Sequence, residues 1–389
     1  MGEALRPIVE PRRELKLFMT ADAVGGVFTY AIELAEALTR HDVRTTLALL
    51  GPAPSAAQRR RAMVVPGLEL LETTASLDWL ADDEDAATRA AETIADLASR
   101  HTAEIVHLNT PTLALAPFEV PVVVALHSCL ASWWEAVKGG PMPADFRWRT
   151  ALTAKGLREA DVLVCPSAAF ASQVRALYGR MPHVVHNGRT PPLSDGSQHV
   201  AADPIAATEM PLAAGPTFVF TAGRLWDEGK NMRTLVDAAR LMKLRVKAAG
   251  PLVGPNGTCI GVQTVEPLGA LDAEAVRAQL ASRPIFISTA LYEPFGLSVL
   301  EAAQAGAPLV LSDIPTFREL WDGAALFAPP RDAGGFASLV NRLADRPDLR
   351  NDLGSAARRR AAQYTVETMA ARMKQIYSGV MADRKGAAA

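Results

Sequence analysis

Short apolar runs and helix-like segments take turns along nearly the whole chain, and that alternation restricts the architecture more than any other feature. Residues 15–20 read as a strand, 27–40 as a helix and 44–50 as the next strand. Further strand-like runs at 105–108, 122–125, 162–165 and 183–185 are separated by helix-like segments at 86–100, 147–159 and 168–178. Strands that are each followed by a helix run parallel, because the helix returns the chain to the same end of the sheet. The pattern predicts an α/β fold with a parallel sheet covered on both faces.

A second series begins further on. Strand-like runs at 218–222, 244–249, 262–265, 285–288, 309–312 and 325–327 alternate with helices starting at Asn231, Asp272, Leu297 and Ala333. At 389 residues, 49% of them hydrophobic, the chain exceeds what one core organises, and a polar Pro/Gly/Ser-bearing stretch after His186-Asn187-Gly188 divides it. The division predicts a first doubly wound domain over 1–190, a linker over 191–216 and a second doubly wound domain over 217–364. The segment 365–389 is expected to carry a helix that returns to the first domain. Ligands bind beyond the carboxyl ends of open parallel sheets, so two facing sheets enclose an interdomain cleft.

Charge and cysteine usage exclude several classes. Lys plus Arg number 40 against 42 for Asp plus Glu, which leaves no global field for nucleic acid, so any anion site is local. Cys129, Cys165 and Cys259 are too scattered for a disulfide framework or a zinc cluster, and they suit a reducing, cytoplasmic setting. Residues 1–15 lack the apolar centre of a signal peptide, and the most apolar run, 120–134, is interrupted by His127 and too short to span a bilayer. Arg59-Arg60-Arg61 and Arg358-Arg359-Arg360 read as solvated faces, with peripheral contact at a membrane surface as the lesser alternative. Nothing sets an oligomeric state.

The residues with chemical potential sit at predicted strand ends. Glu293-Pro-Phe-Gly-Leu-Ser-Val-Leu-Glu301 puts a glycine turn and two carboxylates where a strand hands over to a helix. Phe295, Gly296 and Leu297 are expected to offer unpaired backbone N–H groups to an anion, whereas Glu293 and Glu301 can only accept, which suits hydroxyls. A sugar nucleotide carries both kinds of group. Arg224 and Lys230, just after the strand that opens the second domain, add two cations for a diphosphate. The alternatives are a solvated loop pairing those cations with Asp227 and Glu228, and a solvated stripe of Ser298, Glu301 and Gln304.

In the first half, Asp22-Ala-Val-Gly-Gly-Val27 follows the first strand, and Gly25 and Gly26 let backbone approach a phosphate or an acceptor, or simply make a tight turn. A full Gly-x-Gly-x-x-Gly is absent and no acidic residue ends the strand at Leu50, which argues against a nicotinamide or flavin site. His127 ends another strand and could bond a sugar hydroxyl, or be a satisfied rim histidine. Trp133 and Trp134 read as core packing, with an acceptor platform as the alternative.

Together these pieces resemble the retaining family 4 glycosyltransferases of group 1, over nearly the whole chain. The carrying residues are Gly25-Gly26, His127, Gly223-Arg224, Lys230-Asn231, the Pro267-Leu268-Gly269 turn and the Glu-x7-Glu pattern of Glu293 and Glu301. The resemblance implies the GT-B fold of two facing Rossmann-like domains. It also implies hexosyl transfer from a nucleoside diphosphate sugar of UDP or GDP type to an acceptor hydroxyl, with retention and without a metal or other cofactor. Carried over by position, Arg224 and Lys230 bind the diphosphate, Glu293 and His127 the donor sugar, and Glu301 the ribose. Gly25 and Gly26 approach the phosphates, Leu268 lies beside the base, and Phe295, Gly296 and Leu297 supply amides. The expected partners are a nucleotide sugar and an unidentified acceptor, with no nucleic acid. A sugar-nucleotide epimerase on the same architecture and an inactive nucleotide-sugar binding protein are the competing readings.

Overall fold

A computed structural model describes residues 14–190, 218–254 and 257–387, and within them two lobes are each built on an open parallel sheet. The first lobe contains strands β1 (Leu15–Asp22), β2 (Val43–Leu50), β3 (Leu68–Glu72), β4 (Ile105–Leu108), β5 (Val122–Ala125), β6 (Val162–Cys165) and β7 (His183–Val184). Its helices are α1 (Gly26–Leu38), α2 (Ala56–Met63), α3 (Glu84–Arg100), α4 (Leu130–Val137), α5 (Ala144–Glu159) and α6 (Ala168–Tyr178). The second lobe contains β8 (Val219–Ala222), β9 (Val246–Ala249), β10 (Glu266–Gly269), β11 (Ile285–Ser288), β12 (Leu309–Ser312) and β13 (Ala325–Ala328). Its helices are α7 (Met232–Ala239), α8 (Ala273–Ala281), α9 (Leu297–Gln304), α10 (Pro315–Trp321), α11 (Ala333–Asp345) and α12 (Pro347–Ala361), and α13 (Val366–Ala387) closes the chain.

Strand order in the first sheet is β3-β2-β1-β4-β5-β6-β7, and in the second β10-β9-β8-β11-β12-β13. Each order reverses beside the first strand of its lobe, between β1 and β4 and between β8 and β11, which opens a crevice at the carboxyl ends. Successive residues of β1 are buried on opposite faces: Leu17 and Met19 join the core with α1, while Phe18 joins the one with α3 and α6. That two-sided burial is why the strands read as continuous apolar runs. In the second sheet, Val219, Ile285 and Ile287 face one core and Phe220 and Phe286 the other.

Helix α13 packs on α1, where Met369, Met373, Tyr377 and Val380 share a core with Ile32 and Leu34. The chain thus crosses back to the first lobe near Thr365. A Cβ on Gly188 would collide with the Thr365 carbonyl, so the outgoing and returning strands of this junction pass in direct contact only because that residue is glycine. Arg189 N–H donates to the Tyr364 carbonyl at 3.2 Å in the same place.

Several expectations are corrected. The strand expected over 262–265 lies instead at β10, so Pro267-Leu268-Gly269 is an edge strand rather than a turn. Proline is tolerated there because an edge strand leaves N–H positions unpaired. Helix α2 and strand β3 carried no clear periodic signal: α2 buries only Ala62 and β3 has no fully buried residue. Helix α2 is instead marked locally by a capping box between Ser55 and Gln58. Helices α4 and α10, of 8 and 7 residues, are too short for a periodic pattern to stand out. The linker expected over 191–216 and residues 1–13 lie outside the described residues.

Candidate active site

Three loops at strand ends build the centre of the cleft. In the first, between β1 and α1, the Asp22 carboxylate accepts the N–H groups of Val24 at 2.8 Å and Gly25 at 3.2 Å and folds the loop over itself. Burial raises the Asp22 pKa, partly offset by the Val24 N–H and the charge of Arg224. The glycines of this loop face the second lobe at close range. A Cβ on Gly25 would stand 3.5 Å from Arg224 Nη1, and one on Gly26 would stand 3.1 Å from Leu297 Cδ1.

The second loop joins β8 to α7. Gly223 holds φ of +152°, and a Cβ on Gly250, at φ +141°, would collide with the Gly223 carbonyl, so two glycines let β8 and β9 end side by side. Lys230 forms an ion pair with Glu293, with 22% and 14% of their side chains exposed. Arg224 is more open, at 44%, and pairs with Asp227 at 3.2 Å. The pairing expected for a solvated loop therefore holds for Arg224 and Asp227 only. Glu228 goes to Lys138 of the first lobe at 2.6 Å, and Asp227 also accepts from Trp133 Nε1 at 3.0 Å. Asn231 fixes the loop from beneath, donating through Nδ2 to the carbonyls of Thr289 and Pro330 at 2.9 and 2.7 Å.

The third loop joins β11 to α9. Gly296 caps α9 at φ +92°, in the left-handed region, and no side chain caps the helix, which leaves its first amides facing the cleft. Phe295 is buried among Tyr364 and His186, so only its backbone is available to a ligand. Ala222, Lys230, Ser288, Thr289, Glu293 and Ser298 line a small recess here. Leu268 lies half-buried on the edge strand β10 of the same lobe.

On the opposite wall, His127 is half-buried with its ring edge-on to Tyr30 at 4.5 Å. Its Nε2 donates to Asn109 Oδ1 at 2.6 Å, and Asn109 is held by its own Nδ2 on the Thr20 carbonyl. Burial drives the His127 pKa down to about 4, so at neutral pH the ring is uncharged and Nδ1 remains an acceptor.

Glu301 is not an open stripe residue. It pairs with Arg189 at 2.5 Å, and Arg189 pairs with Glu33 of α1 at 2.7 Å. Trp133 ties the lobes together rather than forming an open platform, and Trp134 packs on Phe146.

Three residues at this centre stand outside the sequence expectations. Arg189 lies just before the linker expected over 191–216, at no predicted strand end. Asn109 follows β4, and a polar residue just past a strand end is a signal that could have found it. Tyr292 belongs by sequence to the second lobe yet is buried in the first lobe's core, where its hydroxyl meets Ser132 Oγ at 2.8 Å and accepts the Cys129 N–H at 3.2 Å.

Two doubly wound lobes facing across a cleft, with cations and glycine turns at the facing strand ends, define the GT-B class of fold. Residues 24–191 match the family described as Glycosyltransferase Family 4, and residues 216–346 match the one described as Glycosyl transferases group 1. The chain belongs to these family 4, group 1 glycosyltransferases. It is 27% identical to a glycogen synthase of Mycobacterium tuberculosis over 287 residues, 69% of this chain and 65% of that protein. It is 26% identical to the D-inositol 3-phosphate glycosyltransferase of Streptomyces scabiei over 412 residues, 94% of this chain and 89% of the relative. Among solved structures, sucrose-phosphate synthase from Thermosynechococcus elongatus superposes with a TM-score of 0.75 at 17% identity, covering 95% of this chain and all of that one. Anabaena HepE in complex with UDP-glucose superposes at 0.69 and 20% identity, covering 94% and 100%. Among the described residues no helix is long and apolar enough to cross a membrane.

Proposed function

We propose that this glycosyltransferase moves a sugar from a nucleoside diphosphate sugar of UDP or GDP type to an acceptor hydroxyl, with retention at the anomeric carbon and without a metal. The observation that carries the reading is the approach of the Gly25 backbone to the Arg224 guanidinium beside the Lys230–Glu293 ion pair. A diphosphate at that point meets two cations and the first amides of α9. Negative charge develops on the departing diphosphate, and donors already aimed at it stabilise the transition state. Lys230 then exchanges part of its contact with Glu293 for phosphate oxygens, which frees Glu293 for sugar hydroxyls.

His127, neutral and fixed by Asn109, offers Nδ1 to a hydroxyl of the donor sugar. Glu301 accepts from the ribose, and Leu268 lies beside the base. The proton of the acceptor passes to the departing phosphate, so the reading assigns no protein general base. The enzyme is placed in the cytoplasm by the same proposal, which the free thiols of Cys129, Cys165 and Cys259 support.

The test is incubation with UDP- and GDP-linked hexoses and a panel of hydroxyl acceptors, with and without EDTA, followed by proton NMR of the product. Expected are free nucleoside diphosphate, a glycosylated acceptor with the donor's anomeric configuration, and rates unchanged by the chelator. An inverted product or abolition by EDTA sinks the corresponding part, and an altered sugar nucleotide without transfer identifies an epimerase instead.

A further inference from the structure

We propose that Arg189 is a positioning residue that sets the Glu301 carboxylate for the ribose diol of the nucleotide and shares its charge with Glu33 of the first lobe. The inference rests on the reading above, in which Glu301 accepts from ribose hydroxyls.

Arg189 leaves the first lobe directly after the Gly188 crossing and reaches α9 of the second. Its Nη2 meets Glu301 Oε1 at 2.5 Å and its Nη1 meets Glu33 Oε1 at 2.7 Å. Gln304, one turn beyond Glu301, donates to the Arg189 carbonyl at 2.9 Å, so one face of α9 holds both the backbone and the side chain of Arg189. The side chains of Arg189 and Glu33 are 12% and 11% exposed, and that of Glu301 is 28% exposed. Glu301 is thus the most exposed member of the triad, and it lies one turn beyond Ser298, which lines the recess at the strand ends.

One guanidinium serves two carboxylates, and the consequences are unequal. Burial alone would lower the Arg189 pKa, but Glu301 and Glu33 more than offset it and keep the guanidinium charged. Glu33 is pushed up to about 7 by burial that Arg189 only partly counters. Without Arg189, Glu301 would face Glu33 with no guanidinium between them and would turn away. A vicinal diol donates two O–H groups, and a carboxylate receives both only when its plane is fixed, which a planar guanidinium fork does and a flexible ammonium does less well. Ribose contacts are the same in the ground and transition states, so their loss raises the donor KM and leaves kcat nearly unchanged.

The experiment measures binding of UDP and GDP, and of their 2′,3′-dideoxy forms, to the full-length protein and to its Arg189→Met, Arg189→Lys and Glu301→Gln variants. Expected for Arg189→Met is binding of the better nucleotide weakened by about tenfold or more, with kcat at saturating donor within about threefold, and dideoxynucleotide binding unchanged. Arg189→Lys keeps the charge without the fork and is expected to fall between; it carries the test alone if Arg189→Met does not fold. Wild-type nucleotide affinity in the Arg189 variants, or an equal loss for ribo and dideoxy forms, overturns the inference. If only Glu301→Gln distinguishes the two forms, the inference falls and the ribose role of Glu301 stands. If Glu301→Gln binds both forms as the wild type does, or the wild type binds neither nucleotide, the underlying reading fails with it.

Discussion

Lys230 and Glu293, 63 positions apart in sequence, form a half-buried ion pair across the mouth of the second lobe, opposite the glycine loop of the first. The pair joins the loop after β8 to the loop after β11, the two strands that flank the switch in strand order. In the proposed reaction, an ammonium held in this way is already oriented for a diphosphate.

Lys230→Met and Arg224→Ala are each expected to lower kcat about a hundredfold or more, the usual loss for one preorganised donor at a developing charge. Their effects on stability should differ. Removing Lys230 leaves Glu293 unpaired at 14% exposure and is expected to cost about 1–3 kcal/mol, whereas Arg224 is 44% exposed and its loss should cost under about 1 kcal/mol. Turnover at saturating donor and urea unfolding separate the two quantities. Near-normal transfer by either variant would remove that residue from the machinery.

Two glycines should fail in different ways. At Gly26 a methyl group meets only the end of the Leu297 side chain, so Gly26→Ala is expected to fold normally and to weaken donor binding by intruding on the cleft. At Gly250 the methyl group meets the Gly223 carbonyl in a backbone conformation that favours glycine, so Gly250→Ala is expected to destabilise by about 3 kcal/mol or more. Chemical denaturation ranks them, and equal midpoints would show that β8 and β9 can part without cost.

Burial of Glu33 predicts a signed pH dependence. Its folded pKa of about 7 lies above the ordinary carboxylate value of 4.5, so its contribution to stability is complete below about pH 4.5 and is lost as pH rises through about 7. Arg189, Glu301 and Arg61 are the charged groups acting on it. Glu33→Gln should therefore flatten the stability profile between pH 5 and 8, and an unchanged slope there would refute the assignment.

His127 has the opposite sign. Its pKa is depressed from 6.5 to about 4, so its contribution is complete above about pH 6.5 and is lost as pH falls through about 4. Stability measured from pH 7 down to 4 should fall less steeply in His127→Asn than in the wild type.

Tyr292 anchors the Glu293 loop inside the other lobe. Tyr292→Phe keeps the ring and leaves Ser132 and the Cys129 N–H without that partner, so it is expected to cost about 1–3 kcal/mol. Tyr292→Ala should cost about 3–5 kcal/mol by opening a cavity in the first-lobe core. A double-mutant cycle with Ser132→Ala measures the hydroxyl contact directly.

The β-strands buried on both faces were legible because each carries an unbroken apolar run, as at 285–288 and 309–312. The edge strands β3 and β10 were not, since they bury little and lack that signature, whereas the edge strands β7 and β13 were expected at 183–185 and 325–327. In the cleft, Gly25, Gly26, Arg224, Lys230 and Glu293 could be singled out because each lies at a predicted strand end, a position where side-chain type and location together carry chemistry. Arg189 and Tyr292 could not be recognised by that logic.

Local pattern alone determined the two parallel sheets and which strand ends carry charged and glycine residues, because periodicity and strand-end position are properties of neighbours in sequence. Tertiary structure decided the partners: Lys230 with Glu293 rather than Glu228, Glu301 with Arg189, and Tyr292 in the core of the opposite lobe. A charge in a sequence is compatible with every opposite charge in the chain, and only packing of the two lobes selects which of them it meets at hydrogen-bonding distance.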